Sequence, residues 1–266
     1  MPLRLALVLL LVAMRPAAAL TIVALGDSIT AGVTRAGGMR PGERAQRDPR
    51  GGYPGRLERL LGADVRVVNR GFGGSTTRDW LGGLGAAPAV RREALEHIWS
   101  DFRPLRDPAP DASVLDYVLA SDRPDVVLIL VGTNDLTQPD SPAEVAERIG
   151  AIARVARAAA PAVLVGTLLP SRRSSPAAVE QVNARLCAIE PDCVRLDRAF
   201  AAKGGLALLG DHVHPDARGQ AVLAYAFGKA LRARHLVPRG THRHDSSGPS
   251  ARASRWAISL VPAAFG

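Results

Sequence analysis

Aromatic residues are scarce in this chain. Trp 3, Tyr 3 and Phe 5 together make only 4% of the sequence. That scarcity argues against a surface that binds single strands by stacking bases on rings. Cysteine is rarer still, with only Cys187 and Cys193. Two cysteines six apart exclude a disulfide-rich scaffold, and they do not make a zinc site on their own. Lysine is almost missing: Lys203 and Lys229 are the only two, so nearly all the Lys+Arg 34 are arginines. After the first twenty positions no uncharged apolar run reaches the roughly 18 residues that a membrane helix needs. Composition also excludes collagen-like, coiled-coil and wholly disordered chains.

What is present is 266 residues, 47% of them hydrophobic. That length suits one domain of about 200 to 240 residues with appendages. The formal charge of +9 invites a nucleic-acid or anionic-surface reading, but its distribution argues otherwise. Residues 229 to 266 carry +6, Arg4 and Arg15 add +2, and residues 20 to 228 are left near +1. Residues 1 to 19 read as a secretory signal: Arg4, then the apolar run Leu5 to Met14, then Ala17-Ala18-Ala19 as a cleavage site. Residues 20 to 235 form the expected domain. Residues 236 to 266 read as a basic, disordered tail rich in Pro, Gly, Ser and His. Export makes a disulfide between Cys187 and Cys193 plausible, with Glu190-Pro191-Asp192 as the turn; two free thiols are the alternative.

Short apolar runs punctuate the body at Thr21 to Leu25, Val65 to Val68, Val126 to Val131 and Val163 to Leu168. Val194 and Leu196 mark a fifth. Each reads as a strand. Helical patterns lie between them, at Tyr53 to Leu61, Ser113 to Leu119, Pro142 to Ala159, Pro176 to Ile189 and Pro215 to Leu231. Ser141, Pro142 and Glu144 make a clear helix start. In the last helix Ala221, Tyr225 and Ala226 offer a packing stripe. Apolar strands alternating with helices predict an α/β fold with a mostly parallel sheet of about five strands, covered on both faces. Gly32 to Arg56 reads as loop. Gly82 to Ala112 is long for a connection, and reads either as a lid or as a surface excursion.

In such sheets the binding site lies beyond the carboxyl ends of the strands. Polar residues collect there. Gly26-Asp27-Ser28-Ile29-Thr30 follows the first strand, and Asn69-Arg70-Gly71-Phe72-Gly73-Gly74-Ser75-Thr76-Thr77 the second. Gly132-Thr133-Asn134-Asp135 follows the third, and Asp211-His212-Val213-His214-Pro215 precedes the last helix. Each block is weak alone; together, in this order, they are strong.

These four blocks resemble those of the SGNH hydrolases, also called GDSL-type lipases and esterases. The resemblance spans residues 26 to 214. It implies a three-layer α/β/α sandwich of flavodoxin-like type. It also implies Ser28 as nucleophile, His214 as general base and Asp211 as its partner. The oxyanion hole would be formed by the N–H groups of Ser28 and Gly74 and the side-chain amide of Asn134. His212 adjoins the pair, but motif register favours His214. A serine hydroxyl needs a base to become a nucleophile, and a histidine held by a carboxylate supplies one near neutral pH. Asp27, Thr76, Thr77 and Trp80 read as scaffold. Asn69 reads as a bond to loop backbone, and Asp135 as a turn cap or loop brace. Arg70 and Arg78 lie near enough to meet an anionic group.

The expectation is an exported, monomeric serine esterase or lipase. It would act on small-molecule, lipid or acylated-sugar esters, with no metal or organic cofactor, no nucleic-acid partner and no membrane span after signal removal. Two alternatives stay open at this point. One is a catalytically inactive carbohydrate- or lipid-binding module on the same fold. The other is an anionic-surface protein acting through its basic tail.

Overall fold

The computed structural model describes residues 19–36, 44–82 and 113–237. The leader through residue 18, most of the 82–112 stretch and the tail from residue 238 lie outside the described residues.

The apolar runs form five parallel strands: β1 (Leu20–Gly26), β4 (Val65–Gly71), β5 (Val126–Leu130), β6 (Ala162–Gly166) and β7 (Cys193–Val194). Their order in the sheet is β4-β1-β5-β6-β7. β1 is paired residue for residue with β4, from Leu20↔Val65 to Gly26↔Gly71, and on its other side with β5. The chain thus reverses its direction of winding at β1 and β5. This is the flavodoxin-like order, and its switch point is where a binding crevice opens.

Pleating sends alternate side chains to opposite faces. Val23, Leu25, Val127 and Ile129 join one core, packed under α2 (Thr77–Leu81), α3 (Val114–Asp122), α4 (Pro142–Ala159) and α5 (Pro176–Ile189). Ile22, Ala24, Leu128 and Leu130 join the other, under α1 (Gly52–Leu61), α6 (Leu196–Ala201) and α7 (Ala217–Ala233). The result is a three-layer sandwich. Leu236 and Val237 still pack on the second core, so the packed body runs through Val237.

Helix boundaries follow capping chemistry. Ser141 accepts from the Glu144 N–H while Glu144 bonds back to Ser141, and Pro142 opens α4. Four sequence expectations need correction. The stretch read as loop contains a small antiparallel pair, β2 (Val33–Arg35) and β3 (Gln46–Arg47). Leu196 opens α6 instead of extending a strand. Pro215 does not start α7: Asp216 caps it, accepting from the N–H groups of Arg218 and Gly219. The stripe on α7 is also rotated. Tyr225 is 62% exposed, and Leu223, Ala224, Phe227 and Leu231 face the core. The structure joins Cys187 to Cys193, with Cα atoms 5.2 Å apart. That bridge ties the end of α5 to edge strand β7. No described helix is long and apolar enough to cross a membrane.

Gln220 is the one buried polar side chain of α7, and it bonds two other elements. Its Oε1 accepts from the Tyr53 N–H (2.7 Å) and its Nε2 donates to the Ile29 carbonyl (3.1 Å). Gln220→Leu would leave the Tyr53 N–H unpaired, while the Ile29 carbonyl keeps its bond from the Gly32 N–H. We expect a loss of about 1–3 kcal/mol in denaturant-measured stability. A loss below about 1 kcal/mol would show that this tie matters little.

Candidate active site

Three loops leave the carboxyl edge of the sheet at adjacent strands β4, β1 and β5. They approach so closely that side chains are excluded between them. A Cβ on Gly71 would lie 2.0 Å from the Ala31 backbone nitrogen, and one on Gly26 would lie 2.3 Å from the Leu130 carbonyl. The Phe72 N–H donates to the Gly26 carbonyl at 2.9 Å, joining the first two loops directly.

Ser28 sits in the tight turn after β1. The Ala31 N–H donates to the Asp27 carbonyl (3.0 Å), and the Val33 N–H to the Ser28 carbonyl (3.0 Å). Asn69 braces this turn from the neighbouring loop. Its amide donates to the Thr30 carbonyl at 2.9 Å, and its Oδ1 accepts from the Gly71 N–H.

His214 comes from the segment before α7. Its Nε2 is 2.8 Å from Ser28 Oγ and its Nδ1 is 2.7 Å from Asp211 Oδ2. An ionised carboxylate only accepts, so Nδ1 carries the proton and Nε2 is left as the acceptor for the serine hydroxyl. His214 is buried, whereas His212 is exposed. Asp211 also accepts from the backbone N–H groups of Val213, His214 and Ala36, each at 2.8 Å. Burial opposes its charge. The N–H groups of His214, Ala36 and Val213 and the His214 ring outweigh that opposition and hold its pKa well below the usual carboxylate range. A firmly ionised Asp211 is what fixes the histidine tautomer.

The second and third blocks, with Gly74 and Asn134, lie beside the serine loop. Gly74 has φ +78°, the left-handed region that favours glycine. Among the described residues a Cβ there would meet no atom within 4 Å, so the backbone angle is what calls for glycine. Asn134 Nδ2 donates one hydrogen to the Ser75 carbonyl at 2.9 Å. The amide's second hydrogen remains for another acceptor.

Asp135 is fully buried and accepts from the Thr77 N–H (3.0 Å) and the Thr77 hydroxyl. It is a brace between loops, one of the two roles its sequence position suggested. Arg70 and Arg78 do not face the site as free cations. Arg70 holds Asp122 through two bonds of 2.8 Å, and Arg78 pairs with Asp140. Trp80 is buried and stacks on Phe72, as scaffold. Among the described residues no cluster of three or more metal-ligating side chains occurs.

Sequence reasoning gave Asp27 no chemistry, yet its electrostatics are unusual. It is 1% exposed; Oδ1 accepts from the Ile29 N–H at 2.9 Å, and Oδ2 has no partner among the described residues. Burial pushes its pKa up to about 7, the Ile29 N–H works against that rise, and the nearby Asp135 charge adds to it. No sequence signal beyond its place beside Ser28 could have found this. The ordinary value is 3.8, so above that pH the unfolded chain releases a proton that the folded chain retains until about 7. Stability therefore falls as pH rises through this window. Asp27→Asn removes the dependence. Relative to the parent, the variant should gain about 3 kcal/mol of unfolding free energy between about pH 4.5 and about pH 8. A difference that stays constant with pH would contradict it.

Comparison with known proteins agrees with this layout. The profile of the GDSL-like Lipase/Acylhydrolase family matches residues 24–222. No curated protein matches the sequence. Among solved structures, the chain is similar to Est24, a carbohydrate acetylesterase from Sinorhizobium meliloti, at TM-score 0.57 and 17% identity; the match covers 81% of this chain and 99% of that one. It is similar to the M. smegmatis aryl esterase at TM-score 0.53 and 18% identity, covering 81% and 99%. It is also similar to Axe2, an acetylxylan esterase from Geobacillus stearothermophilus, at TM-score 0.52 and 21% identity, covering 82% and 96%. At these identities the likeness concerns the fold, whereas the profile match takes in most of the chain, and with it the chain belongs to the GDSL-like lipase/acylhydrolase family.

Proposed function

We propose that this protein is an exported serine esterase that cleaves carboxylic esters through an acyl-enzyme. The observation that carries the reading is the continuous bond path Ser28–His214–Asp211, with both links under 3 Å. His214 Nε2 takes the Ser28 proton as Oγ attacks the ester carbonyl. The negative oxygen of the tetrahedral intermediate is met by the N–H groups of Ser28 and Gly74 and the free hydrogen of the Asn134 amide. His214 then returns the proton to the leaving alcohol. Water repeats the attack with His214 again as base, releasing the acid and restoring Ser28.

Asp211 stabilises the imidazolium without taking its proton, since its own pKa is so low. Pro215 follows His214 directly and disfavours a helical backbone at that residue. This supports the ring's placement, although α7 starts later. Export is supported by the leader pattern in residues 1 to 19 and is compatible with the Cys187–Cys193 bridge. Similar folds include acetylesterases of carbohydrates and an aryl esterase, which makes acetylated sugars and aryl esters the first substrates to try.

The test is hydrolysis of p-nitrophenyl esters from acetyl to palmitoyl, beside acetylated glycans. Ser28→Ala and His214→Ala should each lower kcat by about 10⁴-fold or more. Asn134→Ala should lower it by about 10²- to 10³-fold. Turnover untouched by Ser28→Ala or His214→Ala would defeat the mechanism. Binding of an ester-bearing glycan or lipid without turnover would favour the binding-module alternative.

A further inference from the structure

Two of the three proposed oxyanion donors sit on different loops. Gly74 belongs to the loop after β4, three residues before Thr77. Asn134 belongs to the loop after β5, next to Asp135. One charged side chain from outside both loops joins them. Arg148, in the second turn of α4, donates Nε to Thr77 Oγ1 at 2.7 Å and Nη2 to Asp135 Oδ1 at 3.2 Å. Thr77 donates its hydroxyl to the same Asp135 oxygen and its N–H to the carboxylate as well. The three side chains close a ring in which every donor and acceptor is consistent. Arg148 also reaches Asp140 at 2.8 Å, and Asp140 holds Arg78 at the start of α2.

The charge balance gives the ring its force. Asp135 has no exposed surface and Arg148 only 19% of its side chain, so both ions are largely out of water. A buried carboxylate without a cation is strongly unfavourable, and removing one partner leaves the other charge uncompensated. Without Arg148, Asp135 would keep only the Thr77 N–H and hydroxyl against its charge, with Asp27 nearby. The cheapest response is for Asp135 to shift toward water. That shift loosens its bonds to Thr77 and moves Asn134 relative to Gly74.

We propose that Arg148 is a positioning residue for the oxyanion hole, clamping the Gly74 loop to the Asn134 loop through Thr77 and Asp135. The inference rests on the esterase reading for its catalytic consequence, but the clamp itself is a structural statement. Arg148 touches no reacting atom. Its effect falls on the transition state, because only there does the carbonyl oxygen carry the charge that both loops must meet together.

Arg157 supplies a matched control. It also lies on α4 and also pairs with a buried carboxylate, Glu190, but far from these loops in the chain. Arg148→Met should lower kcat for p-nitrophenyl acetate by about 10- to 100-fold with KM changed less than about threefold. The inhibition constant for a trifluoromethyl ketone, which forms an oxyanion on Ser28, should rise by the same factor. Arg148→Lys should recover part of the loss, and Arg157→Met should keep kcat within about twofold even if its melting temperature falls as far. Equal losses in Arg148→Met and Arg157→Met, or wild-type kcat in a folded Arg148→Met, would overturn the proposal. A second measurement needs no turnover: hydrogen exchange at the Gly74 N–H and the Asn134 side-chain amide, followed by NMR. Arg148→Met should speed both by about tenfold while Arg157→Met leaves them unchanged; unchanged exchange in Arg148→Met also overturns it. A wild-type protein that hydrolyses no ester would defeat the esterase reading, and exchange would then decide the clamp by itself.

Discussion

Everything at the site depends on backbone meeting backbone where β4, β1 and β5 end. Gly71 leaves no room for even one methyl group against the serine turn, and Gly26 none against Leu130 at the end of β5. That closeness lets Phe72 bond to Gly26 and lets Asn69 reach across to Thr30. It follows from the strand order, since the switch point puts three strand ends side by side with no helix between them. The serine turn and the two donor loops are therefore set by the sheet itself. The histidine arrives last, on a short segment stabilised by Asp211.

Three carboxylates lie close to this junction, and their environments divide the work. Asp211 accepts three backbone N–H groups and a ring nitrogen, and stays charged. Asp135 is buried deeper but is balanced by Arg148. Asp27 is pushed toward neutrality by burial and, to a lesser degree, by the Asp135 charge, with the Ile29 N–H working against both. Residues of one type thus acquire different charge states through donor count and the nearest cation. The serine has a neutral-leaning acid as its immediate chain neighbour, while the permanent negative charge sits on the far side of the histidine.

The sequence was a good guide wherever the signal is local or periodic. The strands were legible because buried parallel strands are short uninterrupted apolar runs, as in Val126 to Val131. α4 was legible because its cap, Pro142 and Glu144 are all local. The placing of Ser28, Asn134, Asp211 and His214 at one edge followed from strand ends plus motif order. What escaped reading depends on partners distant in sequence. The face that α7 buries is set by where Gln220 and Phe227 find room, and the exposed Tyr225 gives no warning of that. The β2–β3 pair is two short polar segments with no periodicity to detect. Asp27 looks like any loop aspartate until its burial is known. Arg148 lies on a helix whose pattern is explained without it.

The abundance of arginine also acquires a meaning that composition alone withheld. The net positive charge pointed toward anionic partners, yet within the body arginines are turned onto the protein's own carboxylates. Arg56 holds Asp48, Arg70 holds Asp122, Arg148 holds Asp135 and Arg157 holds Glu190, and each of these carboxylate side chains is at most 7% exposed. Arg56 and Arg70 each grip their partner with two nitrogens, a fork that a lysine ammonium does not reproduce. Such pairs add little net stability over well-packed apolar residues, but losing one member is costly. Their value lies in fixing which loop meets which. A site assembled from separate strand ends needs that kind of bond more than it needs additional apolar area, and arginine is the residue whose geometry provides it.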